Sequence, residues 1–164
     1  MSLRFAVLTV SDRSARGERP DASGPALIEA IRAQGWKLIR QSVVPDDLNI
    51  VRELLESWSD RDDVDVILTT GGTGFAPRDV TPEATRAVIE RDAPGLAEAM
   101  RAASAAKSPH SMLSRAVAGI RGRVLIVNLP GSPKGAVENF QVVIPALDHA
   151  VKLLREDPEA EKGH

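Results

Sequence analysis

The sequence predicts an α/β fold in which helices cover both faces of a mostly parallel sheet. Short apolar segments alternate with amphipathic helical segments along the chain, which is typical of βαβ units. Such units cross over in a right-handed sense and therefore place helices on both sides of the sheet. The first apolar run, residues 5–10, is continuous rather than alternating, as expected for a strand that is buried on both faces.

Three strands and two helices are predicted in the first half of the chain. The first strand ends at Ser11 and Asp12, a turn signal, and the first helix opens at residues 23–25 and closes at Gly35. Pro45 ends the second strand, and a charged turn precedes the third. The predicted ranges are strand 5–10, helix 23–35, strand 36–44, helix 48–58 and strand 64–69.

The second half of the chain begins with its clearest helix start, at Thr81, Pro82 and Glu83. Thr can cap the free amides, Pro fits the first turn, and Glu suits the positive end of the helix dipole. Pro145 lacks an amide proton and is expected to kink or divide the last helix. The predicted ranges are helix 81–91, a helix through Met100 to residue 106, a short helix 112–115, strands 117–120 and 124–129 as a hairpin or as neighbours, and a helical region from residue 133.

Length and composition indicate one globular domain, residues 1–164, with residues 155–164 as a flexible tail. The chain has 164 residues, of which 43% are hydrophobic, enough for a single core. Only 3% are aromatic, so Val, Ile, Leu and Ala must build that core. Cysteine is absent, which excludes disulfides, thiolate metal sites and cysteine nucleophiles.

Charge and hydropathy argue against nucleic-acid and membrane partners. The formal charge is −2, so no net basic field attracts a nucleic-acid backbone, and few aromatic side chains are present to stack on bases. No apolar run approaches the roughly 20 residues that span a bilayer, and the first residues lack a signal-peptide pattern. We therefore expect a cytoplasmic protein.

A glycine cluster follows the third strand, in the Thr-Thr-Gly-Gly-Thr-Gly segment at residues 69–74. Three glycines in four residues cost conformational entropy, so a backbone conformation or a close approach must require them. One interpretation is a turn whose backbone amides converge on an anion. The other is a tight connection from strand to loop. The motif is neither a Walker loop nor the dinucleotide fingerprint.

Two aspartates, Asp46 and Asp79, could share a metal ion at the edge where the parallel strands end. Asp46 follows the second strand, and Asp79 follows the glycine cluster, next to Arg78. If the second and third strands lie near each other, the two carboxylates meet beside bound phosphates, where Mg²⁺ prefers one or two carboxylates. Taken alone, Asp46 is typical of an ordinary turn and Asp79 of a turn or cap. Arg78 suits either a phosphate contact or a surface salt bridge.

A third candidate loop is the Pro-Gly-Ser-Pro-Lys segment at residues 130–134. Ser132 can cap the last helix, and the amides of its first turn together with Lys134 then suit a phosphate. The alternative is a well-capped helix with a solvated lysine. Ser114 and Arg115 could supply further donors, although nothing near them in the sequence requires it.

Together these motifs resemble the MoaB/Mog family of molybdenum-cofactor biosynthesis proteins, whose domain also occurs in gephyrin-like proteins. The motifs occur in the family's order, and the resemblance covers about residues 3–154. The glycine cluster combined with the segment after it is far more specific than either part. The motifs are Thr-Val-Ser-Asp at 9–12, Thr-Gly-Gly-Thr-Gly at 70–74, Arg-Asp-Val-Thr-Pro-Glu-Ala at 78–84 and Leu-Pro-Gly-Ser-Pro-Lys at 129–134.

The resemblance implies a three-layer α/β sandwich, like a molybdopterin-binding domain, that forms a homotrimer or a hexamer of paired trimers. It implies transfer of an adenylyl group from ATP to molybdopterin with Mg²⁺, giving adenylyl-molybdopterin and pyrophosphate. Asp46 and Asp79 match the two family aspartates tied to catalysis and would hold the metal. The candidate substrate-binding residues are Ser11, Asp12, Thr70, Gly71, Gly72, Thr73, Gly74, Arg78, Thr81, Ser114, Arg115, Pro130, Gly131, Ser132 and Lys134.

Two other functions stay open. The family includes branches that keep the fold without the activity, so the chain could be a non-catalytic molybdopterin-binding or scaffolding paralogue. In either case the resemblance implies other molybdenum-cofactor biosynthesis proteins as partners. A related domain of the competence-damage type would act on another nucleotide. The presence of both Asp46 and Asp79 favours the transferase.

Overall fold

A six-stranded sheet organises the structure, a computed structural model that describes residues 2–163. Its strands are β1 (Arg4–Val10), β2 (Lys37–Val44), β3 (Val66–Thr70), β4 (Arg91–Asp92), β5 (Ala118–Arg121) and β6 (Val124–Leu129), in the spatial order β2-β1-β3-β6-β5-β4. β1 pairs in parallel with β2 and β3, and β3 with β6. β5 pairs antiparallel with β4 and β6, which confirms the predicted hairpin.

Helices cover both faces of this sheet. They are α1 (Asp12–Ala15), α2 (Ser23–Ala33), α3 (Leu48–Ser59), α4 (Thr81–Val88), α5 (Pro94–Ala105) and α6 (Pro133–Leu154), with short 3-10 helices at Pro109–Leu113 and Pro158–Gly163. None of these helices is long and apolar enough to cross a bilayer. Met1 and His164, the ends of the predicted domain and tail, lie outside the described residues.

Two apolar clusters, one on each face of the sheet, form the core. Alternate residues of β1 point to opposite faces, as the pleat of a strand requires. Phe5 and Val7 pack with residues of α2, α5 and α6, whereas Ala6 and Leu8 pack with residues of α3 and α4. The continuous apolar run in the sequence is therefore buried on both sides, and the predicted three-layer α/β fold is confirmed.

Two predicted helix boundaries are wrong. α4 ends at Val88 instead of residue 91, because Ile89 takes an extended conformation and leads into β4, which pairs with β5. The short helix expected at 112–115 is instead a 3-10 helix at Pro109–Leu113. It starts there because Ser108 accepts a hydrogen bond from the His110 amide at 3.2 Å.

The last helix runs without a break from Pro133 to Leu154, so Pro145 does not divide it. The hydrogen bond that Pro145 cannot donate would have reached the carbonyl of Gln141, an exposed residue where water can replace it.

The segment after the last helix makes contacts with the rest of the chain. Arg155 forms an ion pair with the buried Asp65, and Ala160 is buried. The flexibility of residues 155–164 stays a prediction.

Candidate active site

A cavity of about 600 Å³ lies over the carboxyl edge of the parallel strands. β1, β2, β3 and β6 all end at this edge because they run parallel to one another. β2 and β3 are near each other, as expected, but they are not adjacent because β1 lies between them. The predicted site residues that line the cavity are Ser11, Asp46, Thr70, Gly71, Gly72, Asp79, Gly131 and Ser132.

The glycine turn after β3 passes very close to its neighbours. Gly71 and Gly72 have left-handed backbone conformations, with φ of 99° and 68°. A Cβ atom on Gly71 would lie 2.3 Å from the carbonyl oxygen of Val10. A Cβ atom on Gly72 would lie 2.4 Å from Thr81 Oγ1 and 3.1 Å from Asp46 Oδ1. This packing alone requires both glycines, and the anion-binding turn stays a prediction.

Two threonine hydroxyls donate hydrogen bonds to backbone carbonyl oxygens at or near this turn. Thr81 is fully buried and donates a hydrogen bond to the Gly71 carbonyl oxygen at 2.9 Å. It is the first residue of α4 and does not cap that helix, contrary to prediction; Val80 is the N-cap and offers no side-chain hydrogen bond. Thr70 donates to the Pro130 carbonyl oxygen at 2.6 Å and so ties β3 to the loop after β6.

Asp46 is held by Asp12 through a reciprocal pair of hydrogen bonds. The Asp12 amide donates to Asp46 Oδ2 at 2.9 Å, and the Asp46 amide donates to Asp12 Oδ1 at 3.0 Å. The guanidinium of Arg78 binds the Asp12 carboxylate and also donates to the Asp46 carbonyl oxygen at 3.1 Å. Asp12 and Arg78 are therefore brought to the site but do not line the cavity.

The charges around Asp46 shift its protonation. Burial raises the pKa of the Asp46 carboxyl, and the negative charges of Asp12 and Asp79 raise it further, while the Asp12 amide and Arg78 oppose the rise. Asp12 behaves oppositely, because its hydrogen bond from Arg78 lowers the pKa of its carboxyl. A cation bound beside Asp46 would therefore favour its ionised form.

Asp79 lines the same cavity from the loop before α4. Its Oδ2 accepts a hydrogen bond from the Ala76 amide at 3.0 Å, and its own amide donates to the Ala76 carbonyl oxygen at 2.9 Å. This is the turn role that the sequence left open for Asp79. It leaves Oδ1 without a hydrogen bond from any described residue.

The loop after β6 forms the opposite wall. Gly131 packs against the Gly71 backbone, where an added Cβ would lie 3.3 Å from Gly71 Cα. Ser132 caps α6 as predicted, accepting a hydrogen bond from the Gly135 amide at 3.1 Å. The Lys134 side chain is 88% exposed and does not line the cavity. Its role as a substrate contact stays a prediction.

A second cavity of about 480 Å³ adjoins the first along the wall formed by Ser132. Its lining includes the predicted site residues Thr73, Gly74, Ser114 and Pro130. The predicted substrate-binding residues that line a cavity are therefore divided between two adjacent cavities.

Arg115 serves a structural role in this arrangement. Its guanidinium binds both carboxylate oxygens of Glu83, at 2.8 to 3.1 Å, and donates to the carbonyl oxygens of Gly74 at 2.7 Å and Asp79 at 2.8 Å. It lines neither of the two cavities. Arg115 thus fixes the loop that carries Asp79, and its role as a substrate contact stays a prediction.

The sequence reasoning missed one side of the first cavity, formed by the segment between α1 and α2. Arg19 and Asp21 from this segment line the cavity, together with Ser23. Asp21 accepts hydrogen bonds from Thr9 Oγ1 at 2.9 Å and from the Gly24 amide at 3.0 Å. The only signal in the sequence is that the segment closely follows the end of the first strand, where ligands bind in such sheets.

The two cavity carboxylates fit a magnesium ion that arrives with a phosphate ligand. In each, one oxygen is fixed by a backbone amide, and Oδ1 of Asp46 and Oδ1 of Asp79 accept no hydrogen bond within residues 2–163. No group of three or more His, Cys, Asp or Glu side chains in that range could hold a metal ion alone. Mg²⁺ is commonly bound by one or two carboxylates that share it with substrate phosphates and water.

Comparison with known proteins identifies the family. The family described as "Probable molybdopterin binding domain" matches residues 6–149. The chain belongs to this family. The match includes the glycine turn, Asp46 and Asp79, so the cavity over the carboxyl edge lies entirely within the molybdopterin-binding-domain part of the chain.

Similar proteins agree with this assignment. The protein named molybdopterin adenylyltransferase from Helicobacter pylori (strain J99) is 38% identical over 155 residues, which is 93% of this chain and 88% of that protein. The molybdenum cofactor synthesis protein cinnamon of Drosophila melanogaster is 44% identical over 95% of this chain, and gephyrin of Dictyostelium discoideum is 42% identical over 94%. The chain spans only 26% and 23% of these two longer relatives.

Solved structures show the same fold. The molybdopterin biosynthesis enzyme MoaB from Thermus thermophilus is 49% identical, with a TM-score of 0.89 over 95% of this chain and 98% of that one. CinA from Thermoplasma acidophilum is 17% identical over 92% of this chain and 98% of that one, with a TM-score of 0.64, and shares the fold alone.

Proposed function

We propose that this chain transfers an adenylyl group from ATP to molybdopterin in molybdenum-cofactor biosynthesis. The observation that carries the proposal is the pair Asp46 and Asp79. Each is fixed by a backbone amide, and both line one cavity at the glycine turn. A relative named molybdopterin adenylyltransferase, aligned over most of both chains, supports the same reaction.

The reaction needs no covalent intermediate with the protein. A phosphate oxygen of molybdopterin attacks the α-phosphorus of ATP, and the bond from that phosphorus to the oxygen bridging to the β-phosphate breaks. Pyrophosphate leaves with the electron pair of the broken bond. Such a transfer depends on positioning and on neutralising charge, so the main task of the chain is to hold the two phosphates in line.

Each part of the site has a task in this scheme. The two adjacent cavities hold the two substrates, and the wall at Ser132 lies between them. Asp46 and Asp79 would hold Mg²⁺ through their free oxygens, and the ion would neutralise charge on bound phosphate. Gly71 and Gly72 lack side chains where Val10 and Asp46, respectively, approach the backbone. Arg78 and Arg115 fix the loops that carry the two aspartates.

The assembly belongs to the same proposal. We propose a homotrimer, or a hexamer of paired trimers, located in the cytoplasm, with other molybdenum-cofactor biosynthesis proteins as partners. Light scattering at micromolar concentration measures the assembly directly. A monomer under these conditions would remove this part of the proposal without affecting the assignment of the reaction.

A reconstituted assay tests the function. The chain is incubated with molybdopterin, ATP and Mg²⁺, and adenylyl-molybdopterin is detected by mass, with an EDTA-treated sample and a sample without molybdopterin as controls. Product that depends on all three additions supports the transferase. Molybdopterin binding without product, while an active relative turns over in parallel, would instead assign the chain to a non-catalytic binding or scaffolding role.

A further inference from the structure

The cavity over Asp46 and Asp79 has few cations for a site that takes phosphates. Among the residues from the described range that line it, Asp21, Asp46 and Asp79 are acidic, and Arg19 is the one cation. A lining with this balance repels a polyanionic ligand unless a cation offsets the carboxylates. The two aspartates at the glycine turn can share Mg²⁺, which leaves Arg19 as the positive group supplied by the chain itself.

Other basic residues near the site are either bound to a carboxylate or lie outside both cavities. Arg78 is bound by the Asp12 carboxylate, and Arg115 by the Glu83 carboxylate. The Lys134 side chain is 88% exposed and lines neither cavity. None of these three can replace Arg19 within the first cavity without leaving its present position.

The Arg19 side chain, in contrast, is not bound to any other side chain within residues 2–163. It is exposed, and it makes no hydrogen bond or ion pair with any residue in the range 2–163. A free guanidinium beside a cavity can turn toward an incoming anion and offers parallel donors that match two oxygens of a phosphate.

The backbone around Arg19 is fixed on both sides, although its side chain is free. The Glu18 amide donates to the Arg13 carbonyl oxygen at 2.9 Å on one side. On the other side Asp21 accepts hydrogen bonds from Thr9 Oγ1 and the Gly24 amide. Pro20 also restricts the backbone of the residue before it. This arrangement reduces the entropy lost when the guanidinium binds a ligand.

We propose that Arg19 is a substrate-binding residue that contacts phosphate oxygens of the ligand held over Asp46 and Asp79. This inference rests on the proposed function, because ATP and molybdopterin both bring a phosphate to the cavity. The segment between α1 and α2 then forms a third wall of the site, beside the glycine turn and the loop after β6.

Three variants test the assignment. Arg19→Ala removes the guanidinium, Arg19→Lys keeps a positive charge without the paired donors, and Arg13→Ala removes a neighbouring arginine that does not line the cavity. Steady-state kinetics are measured against ATP and against molybdopterin separately, and thermal unfolding shows that each variant folds.

We expect Arg19→Ala to raise the KM of one substrate by about tenfold or more, as for a hydrogen bond to a charged group, with kcat changed much less. The substrate whose KM rises carries the phosphate that Arg19 contacts. Arg19→Lys restores part of the loss, and Arg13→Ala matches the wild type. Unchanged KM values for both substrates in Arg19→Ala, or an equal rise in Arg13→Ala, would overturn the proposal.

A binding measurement separates this inference from the reaction. ATP and molybdopterin are each titrated into the wild type and into Arg19→Ala by calorimetry, with Mg²⁺ present and no turnover required. Weaker binding in Arg19→Ala supports the Arg19 contact even if the wild type makes no adenylyl-molybdopterin. Equal binding by the two chains overturns it, and a wild type that binds neither ligand overturns both this inference and the proposed function.

Discussion

Arg78 binds the carboxylate of Asp12 through two hydrogen bonds, from Nε to Oδ2 at 2.6 Å and from Nη2 to Oδ1 at 2.9 Å. Asp12 in turn exchanges hydrogen bonds with Asp46, so the guanidinium acts on the cavity through Asp12. An arginine that the sequence suggested for a phosphate contact thus holds Asp12 beside Asp46, and the phosphate contact itself stays a prediction.

Arg78→Ala is expected to reduce kcat/KM by about tenfold to 100-fold, the range for a misplaced catalytic group. It should also move the acid limb of the pH profile. Burial raises the pKa of Asp46, and Arg78 opposes that rise, so removing the guanidinium raises the pKa further. If Asp46 must be ionised for activity, as proposed, activity is present above its pKa and is lost as pH falls, so the loss should begin at a higher pH in the variant.

The measurement is kcat/KM against pH for the wild type, Arg78→Ala and Arg86→Ala. Arg86 is exposed on α4 and lines neither cavity, so its removal controls for a general change in charge. A lower rate in Arg78→Ala with an unmoved acid limb would show that Arg78 does not act through Asp46.

Asp46→Asn and Asp79→Asn should each reduce adenylyl transfer on the order of 100-fold, comparable to the loss of one preorganised electrostatic contact. An asparagine carbonyl oxygen can still accept the amide hydrogen bond that each carboxylate accepts now, so the fold should survive. The negative charge that would hold Mg²⁺ does not survive. kcat is measured at saturating ATP and Mg²⁺, and circular dichroism reports the fold.

Asp47→Asn is the matched control for this pair. Asp47 caps α3 by accepting a hydrogen bond from the Ile50 amide at 3.1 Å, does not line the cavity, and asparagine caps about as well as aspartate. If Asp46 and Asp79 act on one ion, the double variant should be little worse than the poorer single variant. Near-normal turnover in either single variant would show that the carboxylate there is structural.

Local patterns in the sequence were enough to predict the layers of the fold and the edge of the sheet at which the site lies. The apolar run of β1 and the alternation of elements predict a sheet covered on both faces. Ser132 caps α6 as its type and its position before Pro133 indicate. These features depend on neighbours along the chain, so a single sequence contains the information they need.

The residues that the arginines bind could not be predicted from local patterns in the sequence. Arg78 binds Asp12, which is 66 positions away in the sequence, and Arg115 binds Glu83, which is 32 positions away, so both pairs depend on the tertiary fold. Arg19 lies in a segment with no motif, and only the path of the chain from α1 to α2 brings it to the cavity. Ile89 ends α4 early because β4 pairs with β5, a contact that the helical pattern does not contain.

Gly72→Ala should damage both stability and activity. A left-handed conformation at a residue with a side chain costs on the order of 1–3 kcal/mol, and the new Cβ would lie 2.4 Å from Thr81 Oγ1. Its 3.1 Å approach to Asp46 Oδ1 should also displace that carboxylate. Urea denaturation and the transfer assay measure the two effects. Gly95→Ala, with no atom within 4 Å of the added Cβ, is the control, and equal losses in both variants would contradict this account.

Asp65 connects the two ends of the chain at the opposite edge of the sheet. Its buried carboxylate accepts hydrogen bonds from the Arg4 amide at 2.8 Å and from Arg4 Nη2 at 3.0 Å, and it also binds Arg155. Burial alone would raise the pKa of Asp65, but the hydrogen bonds from Arg4 and Arg155 outweigh it and hold the pKa below its ordinary value.

Asp65→Asn should lower the free energy of unfolding by about 3 kcal/mol, the lower end of the range for breaking a buried pair, since Arg4 and Arg155 are 33% and 29% exposed. A lowered folded-state pKa gives stability that is fully present above the unfolded value of about 3.9 and lost as pH falls through the folded value. The difference in the free energy of unfolding between wild type and variant should therefore be constant near neutral pH and shrink below about pH 4.

Urea denaturation at several pH values measures this difference. Asp60→Asn is the control, because Asp60 forms an exposed pair with Arg121 and its substitution should cost far less. A difference that persists unchanged at low pH would mean that Asp65 contributes through packing and not through its charge.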